Sequence, residues 1–217
     1  MWKKDSKLVR WAAATGVDCT KRGAAAEDFD CRLKEKYKLS EDAFCYIASG
    51  NQFYIKLLKQ YGLMLHASAV ELDGKAYLFS ANSGTGKSTH TRLWQSVFGE
   101  KAQVFNDDKP ALRYLDGTWY AYGTPWSGKH GLDANVCVPL KGLCILERGT
   151  DNHIRRITAE EAMPMLQKQA YRPLSQEKEP VFLTLIAQLS ASVPLWKMAC
   201  NKEAQAATMA HEAMKSQ

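Results

Sequence analysis

The sequence predicts an α/β protein whose mixed sheet contains β-hairpins and is flanked by helices. An apolar run, Ala76–Phe79, leads through a stretch of small residues into a helical pattern, Thr89–Phe98, which together indicate a strand–loop–helix unit. Asp-Gly pairs at 73–74 and 116–117 each separate two apolar runs. Asp-Gly between such runs is a strong signal for a two-residue hairpin turn. This mixture of hairpins and helices indicates one α/β sheet.

The elements of the first two thirds follow in order. Ser40-Glu41-Asp42 is typical of a helix start, and the helical pattern continues to Gly62, interrupted if anywhere at Gly50. Leu63–Leu72 is predicted to be one strand, which returns through the first Asp-Gly turn as Lys75–Phe79. The later strands are predicted at Gln103–Phe105, at Leu112–Leu115 with Thr118–Tyr122 as the second hairpin, and at Leu143–Leu146.

The last third alternates between strands and helices. Thr158-Ala159-Glu160-Glu161 is a capping box, which predicts a helix start after a strand at His153–Ile157. Two further helices and a last strand are predicted at Val181–Ser192, Lys202–Met214 and Val193–Ala199. We expect a single nucleotide-binding domain over residues 1–217, with a helical lead-in at 1–60, a core holding the site at 62–147, and an α/β completion at 148–217.

Composition limits the classes of partner and compartment. The chain has 217 residues, of which 46% are hydrophobic and 24% charged, as in ordinary globular proteins. The net charge of +6 comes from basic residues that are spread out, so a nucleic-acid partner is not expected, whereas anionic substrates suit the charge. No apolar run approaches the roughly 20 residues that span a membrane. The six cysteines form no C-x-x-C pair and the N-terminus lacks an apolar secretory stretch, so we expect a cytoplasmic protein with free thiols and no zinc site.

The stretch between the first hairpin and the following helix is typical of a phosphate-binding loop. Small residues let backbone N–H groups close around phosphate oxygens, and the following helix directs its positive end towards them. The usual pattern begins with Gly where this chain has Ala81, and the alternative is a Gly/Ser turn that happens to precede a helix. The predicted nucleotide-binding residues are Ser83, Gly84, Thr85, Gly86, Lys87, Ser88 and Thr89, with Lys87 directed at the β- and γ-phosphates and Ser88 at a Mg²⁺ ion.

Asp107 and Asp108 are the predicted partners of the loop. They end a short apolar strand soon after the loop helix, where a metal-holding carboxylate belongs in P-loop proteins. Adjacent residues of an extended strand point in different directions, so one carboxylate can hold Mg²⁺ while the other accepts a proton from an attacking hydroxyl. The alternative is a solvated turn, because Asn-Asp-Asp before Lys-Pro is also good turn chemistry.

His66 and Lys129 complete the predicted catalytic group. The hairpin brings His66 back beside the strand that carries the loop, although a lone strand histidine is more often structural. Lys129, in the Trp126-Ser127-Gly128-Lys129 segment, can neutralise a transferring phosphoryl group or be an exposed loop lysine. Arg172 is a weaker candidate for the same role, and Arg92 is expected on the surface. The aromatic residues between 114 and 126 are expected in the core rather than in a base-stacking surface.

The ordered set resembles the HPr kinase/phosphorylase family and the nucleotide site of phosphoenolpyruvate carboxykinases. It consists of His66-Ala67-Ser68-Ala69, an Asp-Gly hairpin, Ser83-Gly84-Thr85-Gly86-Lys87-Ser88-Thr89 and Asn106-Asp107-Asp108, and it covers residues 62–147. The resemblance implies a phosphoenolpyruvate carboxykinase-like P-loop fold and a kinase that uses ATP and Mg²⁺. It further implies that Ser88 and Asp108 hold the metal, with Asp107 a second candidate ligand, and that Asp107, assisted by His66, acts as the base.

The chain departs from both families in ways that leave the acceptor open. The kinase family usually has Glu where this chain has Thr89, and we expect no counterpart of its separate N-terminal domain; the 217 residues are also far fewer than those of a carboxykinase. Relatives of this kind occur near peptide-modification genes, so a Ser hydroxyl on a peptide or small protein is the first expectation and a small molecule the second. GTP is not excluded as donor, because no base-specific motif is visible, and a homo-oligomer is left open, since the kinase relatives form rings. The alternatives are a non-catalytic ATP-binding regulatory module and a phosphorylase or phosphohydrolase that uses the same residues.

Overall fold

The computed structural model of the protein describes residues 36–173 and 176–215. Its α-helices are α1 Glu41–Leu58, α2 Lys87–Phe98, α3 Ala159–Gln169, α4 Glu179–Ser192 and α5 Ala204–Lys215. Its strands are β1 Gly62–Met64, β2 Ala67–Leu72, β3 Lys75–Ser80, β4 Ala102–Asn106, β5 Ala111–Leu115, β6 Thr118–Tyr122, β7 Cys137–Arg148, β8 His153–Arg156 and β9 Leu195–Cys200. The predicted mixed α/β class is therefore confirmed, while the part of the predicted lead-in before residue 36 lies outside the described residues.

The strands form one mixed sheet centred on β7. The strand order is β1-β5-β6-β7-β3-β2-β4; in addition β9 pairs with β7, and β8 pairs with β9. The first residues of β7 pair antiparallel with β6, and the rest run parallel to β3 and to β9. Since β3 and β4 are both antiparallel to β2, they run in the same direction. The carboxyl ends of β4, β3, β7 and β9 and the amino end of β2 therefore lie at one edge of the sheet.

Both hairpins have the turn that their Asp-Gly pairs predict. The central residues of the first turn, Asp73 and Gly74, have φ angles of 51° and 71°. Those of the second, Asp116 and Gly117, have φ angles of 47° and 83°. Positive φ at both central positions defines the type I′ turn, whose twist matches that of paired strands.

The prediction of one strand over 63–72 is wrong, because this segment forms two strands with different neighbours. Strand β1 pairs with β5, whereas β2 pairs with β3 and β4. Leu65 and His66 lie between them and join α3 instead, through the His66 N–H, which donates to the Gln169 carbonyl at 2.8 Å. Both halves are apolar, so the sequence pattern does not indicate where the segment changes its partner strands.

Helix α1 begins as predicted and ends earlier than predicted. The Ser40 hydroxyl accepts a hydrogen bond from the Ala43 N–H at 3.2 Å, which caps the helix. Gly50 does not interrupt α1, which continues to Leu58 and stops before Gly62. None of the helices in the described ranges is long and apolar enough to cross a membrane.

Two hydrophobic layers cover the two faces of the sheet. Helices α1, α3 and α4 pack on one face, and α2 and α5 on the other. Neighbouring residues of β3 belong to opposite layers, with Leu78 in the first and Phe79 in the second, and both are fully buried. A strand that is apolar on both faces is typical of the middle of an α/β sheet. The strand that carries the predicted phosphate loop is thus held from both sides.

His90 lies in the second layer, one turn into α2. Its side chain is 2% exposed, and its ring centroid lies 4.5 Å from that of Phe79. The indole N–H of Trp94 donates to His90 Nε2 at 3.3 Å, so in the neutral ring the proton is on Nδ1. Burial lowers the pKa of His90 from 6.5 to about 4, because the charged form would lose its hydration.

Replacing His90 by Gln should reduce the loss of stability in acid. The folded protein favours neutral His90, so the unfolded chain binds more protons between pH 6.5 and about 4. The stability that neutral His90 contributes is then fully present above pH 6.5. The free energy of unfolding falls by about 3 kcal/mol as the pH approaches 4. Urea unfolding of wild type and His90→Gln at several pH values measures the difference in slope. The exposed His153→Gln is the matched control, and a slope that His90→Gln leaves unchanged would contradict this role.

Candidate functional site

The predicted phosphate loop joins β3 to α2 at the sheet edge described above. Its positive-φ residues are Gly84, with a φ of 76°, and Gly86, with a φ of 121°. A Cβ on either would meet no atom within 4 Å, so glycine is favoured by backbone conformation and not by space. Ala81 is not among the positive-φ residues, and its side chain is fully buried. The missing first Gly therefore imposes no backbone strain on this loop.

Lys87 lies at the start of α2 and closes the loop. Its ammonium group donates to the Ala81 carbonyl at 3.1 Å, and the residue is only 7% exposed. Burial lowers the pKa of Lys87, while the nearby carboxylates of Asp108 and Asp107 oppose that shift. The structure therefore brings this cation and both predicted carboxylates into one electrostatic group.

Asp107 is held by a chain of hydroxyl groups below the loop helix. The Ser68 hydroxyl donates to Asp107 Oδ1 at 2.7 Å, and the Thr91 hydroxyl lies 2.8 Å from that of Ser68. Since the single Ser68 proton is used on the carboxylate, Thr91 donates to Ser68. All three side chains are buried, so strand β2, helix α2 and the end of β4 are tied together at this point.

His66 is oriented by an amide from the end of α3. Gln169 Nε2 donates to Asn82 Oδ1 of the loop at 3.2 Å, which leaves Gln169 Oε1 to accept from His66 Nδ1 at 2.7 Å. The Nε2 lone pair of the neutral ring then faces Asp108 Oδ1 at 3.5 Å. Burial, followed by the charge of Lys87, lowers the pKa of His66, so the neutral ring prevails at neutral pH. Two proton acceptors therefore face one another beside the loop.

Asn106 fixes the turn that presents the two aspartates. Its Oδ1 accepts from the backbone N–H groups of Asp108 and Lys109 at 3.0 and 2.7 Å, and its Nδ2 donates to the Thr124 carbonyl at 2.9 Å. Lys109 also pairs with Asp108 through a 2.7 Å contact between Nζ and Oδ2. Asp108 thus has a histidine on one oxygen and an ammonium group on the other.

Helix α1 and the loop after β6 enclose the Asp108 side of the site. The Trp126 indole N–H donates to the Tyr46 carbonyl at 2.9 Å, and the Trp126 carbonyl accepts from the Lys109 N–H at 3.1 Å. A Cβ on Gly128 would lie 3.0 Å from the Asp108 Cβ, so the loop passes directly over this carboxylate. Burial, then the Asp108 charge, raises the pKa of Tyr46 to about 12, which keeps its hydroxyl protonated.

Arg148, the last residue of β7, approaches the predicted phosphate loop from the side opposite to His66 and Asp108. Its Nη2 donates to the Gly84 carbonyl at 2.5 Å, although the residue is otherwise exposed. The neighbouring Glu147 pairs with Lys197, through a 2.8 Å contact between Oε1 and Nζ. The Arg148 charge is therefore directed at the loop.

The structure brings most of the predicted site residues to one place. Ser83 to Gly86 form the loop, Lys87 to Thr89 form the first turn of α2, and His66, Asp107 and Asp108 lie beside them. For Lys129 only the backbone is described, so its predicted role lies outside the described side chains. The catalytic, nucleotide-binding and metal-binding roles of all these residues stay predictions.

The weaker candidates lie elsewhere. Arg172 is paired with Glu179 of α4, and Arg92 is exposed on α2. Trp119 and Trp126 are buried in the first hydrophobic layer, as expected for core aromatics. Among the residues that the structure describes, no group of three or more His, Cys, Asp or Glu side chains is arranged to hold a metal ion.

Sequence reasoning missed the residues that other elements contribute. Gln169, Tyr46, Thr91 and Arg148 belong to no local motif. Arg148 had a usable signal, since it ends a strand that runs parallel to the loop strand, and the carboxyl ends of such strands share an edge. Ser68 lies inside the His66–Ala69 stretch that carries the family resemblance, without having been assigned a role.

Comparison with known proteins identifies the family. A family model described as SynChlorMet cassette protein ScmC matches residues 30–206. The chain belongs to the ScmC family. A comparison with curated proteins finds no significant match. The solved structure of the Hpr(Ser) kinase/phosphatase from Coxiella burnetii is weakly similar to this ScmC-family chain, with a TM-score of 0.40 and 9% identity over 71% of this chain and 99% of that one.

Ser68→Ala should destabilise this ScmC-family protein. The buried Asp107 carboxylate would lose a hydrogen-bond donor at 2.7 Å. Losing a hydrogen bond to a buried charged group costs about 1–3 kcal/mol. Urea unfolding measures the change, with Ser96→Ala on the exposed face of α2 as the same chemical change outside the network. Equal unfolding free energies for the two variants would mean that Ser68 does not support Asp107.

Proposed function

We propose that the protein is an ATP- and Mg²⁺-dependent phosphotransferase that moves the γ-phosphoryl group to a hydroxyl. The proposed fold is the phosphoenolpyruvate carboxykinase-like P-loop fold, and the proposed acceptor is a serine of a peptide or small protein, with a small molecule as the second choice. The observation that carries the proposal is the 3.5 Å approach of His66 Nε2 to Asp108 Oδ1 beside the phosphate loop. A site that only holds a nucleotide has no use for two proton acceptors at this position.

The phosphate side of the site is built from the loop and the first turn of α2. Backbone N–H groups at a helix start favour phosphate oxygens, and the positive φ of Gly84 and Gly86 supports the curved loop that presents such groups. Lys87 supplies the compact positive charge expected near the β- and γ-phosphates. Its contact with the Ala81 carbonyl supports this role, because that contact keeps the ammonium group within the loop.

Asp107 and Ser88 are the proposed Mg²⁺ ligands. Both supply the oxygen donors that Mg²⁺ prefers, and Mg²⁺ in nucleotide sites takes its other ligands from phosphates and water. The Thr91 hydroxyl, which supports Asp107 through Ser68, also lies 3.3 Å from the Ser88 carbonyl, so both proposed ligands neighbour the same side chain. When bound, the ion would offset the negative charge that develops on the phosphates.

Asp108 is the proposed base. This assignment reverses the roles that the family resemblance implies for the two aspartates. Asp107 is buried under the loop helix with its Oδ1 occupied by Ser68, whereas Asp108 faces His66 near the half-buried Tyr46. In the transfer step the acceptor oxygen bonds to the γ-phosphorus as the bond to the bridging oxygen breaks. The hydroxyl proton passes to Asp108, ADP leaves, and Asp108 returns the proton to water. Until then, the protonated Asp108 donates to the Nε2 lone pair of neutral His66, which lies 3.5 Å from Asp108 Oδ1.

Transfer from γ-labelled ATP with Mg²⁺ tests the proposal, with a cell extract and a Ser/Thr peptide pool as acceptors. Asp108→Asn should lower transfer by about 10²–10⁴-fold while Mg-ATP affinity is kept, because the lost group acts on the proton. Asp107→Asn should instead weaken Mg-dependent ATP binding. Asp116→Asn, in the second hairpin turn, is the matched control.

Label that moves to one component in wild type, and hardly in Asp108→Asn, supports the transferase and reveals its acceptor. Tight ATP binding by wild type without transfer to any acceptor would refute the kinase and leave a nucleotide-binding regulatory module. Equal loss of ATP binding in both aspartate variants would refute the proposed division of roles.

A further inference from the structure

The phosphate loop has two unlike sides, because the sheet order places different strands beside it. On one side β2 and β4 bring His66, Asp107 and Asp108. On the other side β7 and β9 end at Arg148 and Cys200. Nucleotides bound to open α/β sheets lie in the crevice outside the carboxyl ends of the strands. A triphosphate chain across this loop therefore has one end among the reacting groups and the other end beside β7.

We propose that the nucleoside half of the donor binds over the carboxyl ends of β7 and β9, and that Arg148 is its principal contact. The inference rests on the proposed function, since it takes a nucleoside triphosphate as the ligand of the loop. The γ-phosphate must lie near Asp108 for transfer, which directs the α-phosphate, the ribose and the base towards Arg148. Neither the sequence motif nor the family description assigns a residue to this half of the ligand.

Arg148 has the chemistry that this position needs. It is exposed, and its donation to the Gly84 carbonyl places the guanidinium group at the rim of the loop. A guanidinium has five N–H donors and two flat faces, and the Gly84 carbonyl takes one donor. The remaining donors suit ribose oxygens, and the flat faces suit an aromatic base, on which Arg groups stack. Glu147 is paired with Lys197, so its carboxylate does not neutralise the Arg148 guanidinium in the crevice.

The segments next to Arg148 form an ordered wall for the same crevice. The Asn201 side chain donates to the Thr150 carbonyl at 3.2 Å, and its backbone N–H donates to Asn152 Oδ1 at 3.0 Å. The Gly149 N–H donates to the Cys200 carbonyl at 3.0 Å. The ends of β7 and β9 are thus fixed to one another, and Arg148 projects from a rigid support.

The test compares Mg-ATP with Mg-tripolyphosphate, which has the same phosphate chain and no nucleoside. Calorimetric titration of Arg148→Ala should show ATP binding weakened by about tenfold, the effect of losing one cation–π or stacking contact. Tripolyphosphate binding should change by less than about threefold. Arg148→Lys keeps the positive charge and lacks the flat face, so it should restore tripolyphosphate binding fully and ATP binding only in part. Arg92→Ala, an equal loss of charge on the exposed face of α2, is the control.

Three outcomes would contradict either the inference or the proposed function. Equal weakening of both ligands in Arg148→Ala would overturn the inference, because Arg148 would then act on phosphates or on the loop alone. Unchanged affinity for both ligands would also overturn it. A wild-type protein that binds neither ligand would instead refute the proposed function and, with it, the ligand on which this inference rests. Thermal unfolding of each variant verifies that the fold is kept.

Discussion

The hydroxyl of Ser68 connects the three elements whose relative position defines the site. It accepts a hydrogen bond from Thr91 of α2 and donates one to Asp107 after β4, while Ser68 itself belongs to β2. A carboxylate that is 7% exposed is stable as an anion only with such partners. Because the predicted phosphate loop leads directly into α2, this one chain of hydrogen bonds also sets the separation between the loop and the carboxylate. Polar groups fixed in this way before a ligand arrives need little rearrangement during a reaction.

The second constraint is the direction in which the strands of the sheet run. Strands β3, β4, β7 and β9 all end at one edge, and β2 begins there, so five segments deliver polar residues to the same rim. Their order across the sheet, and not their order in the chain, decides which residues share a side of the loop. His66 and Asp108 meet although 42 positions separate them, and Gln169 reaches His66 across 103 positions.

The sequence predicted those parts of the molecule that are encoded locally. The two Asp-Gly turns, the capped helix starts and the loop are each determined by a few adjacent residues, and each lies where it was predicted. The boundary between β1 and β2 was not predictable, because it depends on which strands pair with each half: β1 pairs with β5, and β2 pairs with β3 and β4. Both halves of the segment are equally apolar. The predicted core of the site followed from motifs, whereas Gln169, Tyr46 and Arg148 come from distant elements whose approach only the fold determines. The two aspartates illustrate the same limit, since only their surroundings distinguish one from the other.

Gly50 shows how a small residue in one element connects two others. Glycine within a helix costs about 1 kcal/mol relative to alanine. A Cβ at this position would lie 2.9 Å from the Trp126 indole nitrogen, so the glycine leaves room for the indole against the helix. That indole is hydrogen-bonded to the Tyr46 carbonyl one turn earlier, and its own backbone is bonded to Lys109 beside Asp108. The helix and the loop are therefore fastened together at mid-helix, and neither can move away from Asp108 alone. If the protein has the proposed transferase activity, admission of a bulky acceptor requires a collective displacement on the microsecond-to-millisecond scale, and not the nanosecond fluctuation of a surface loop.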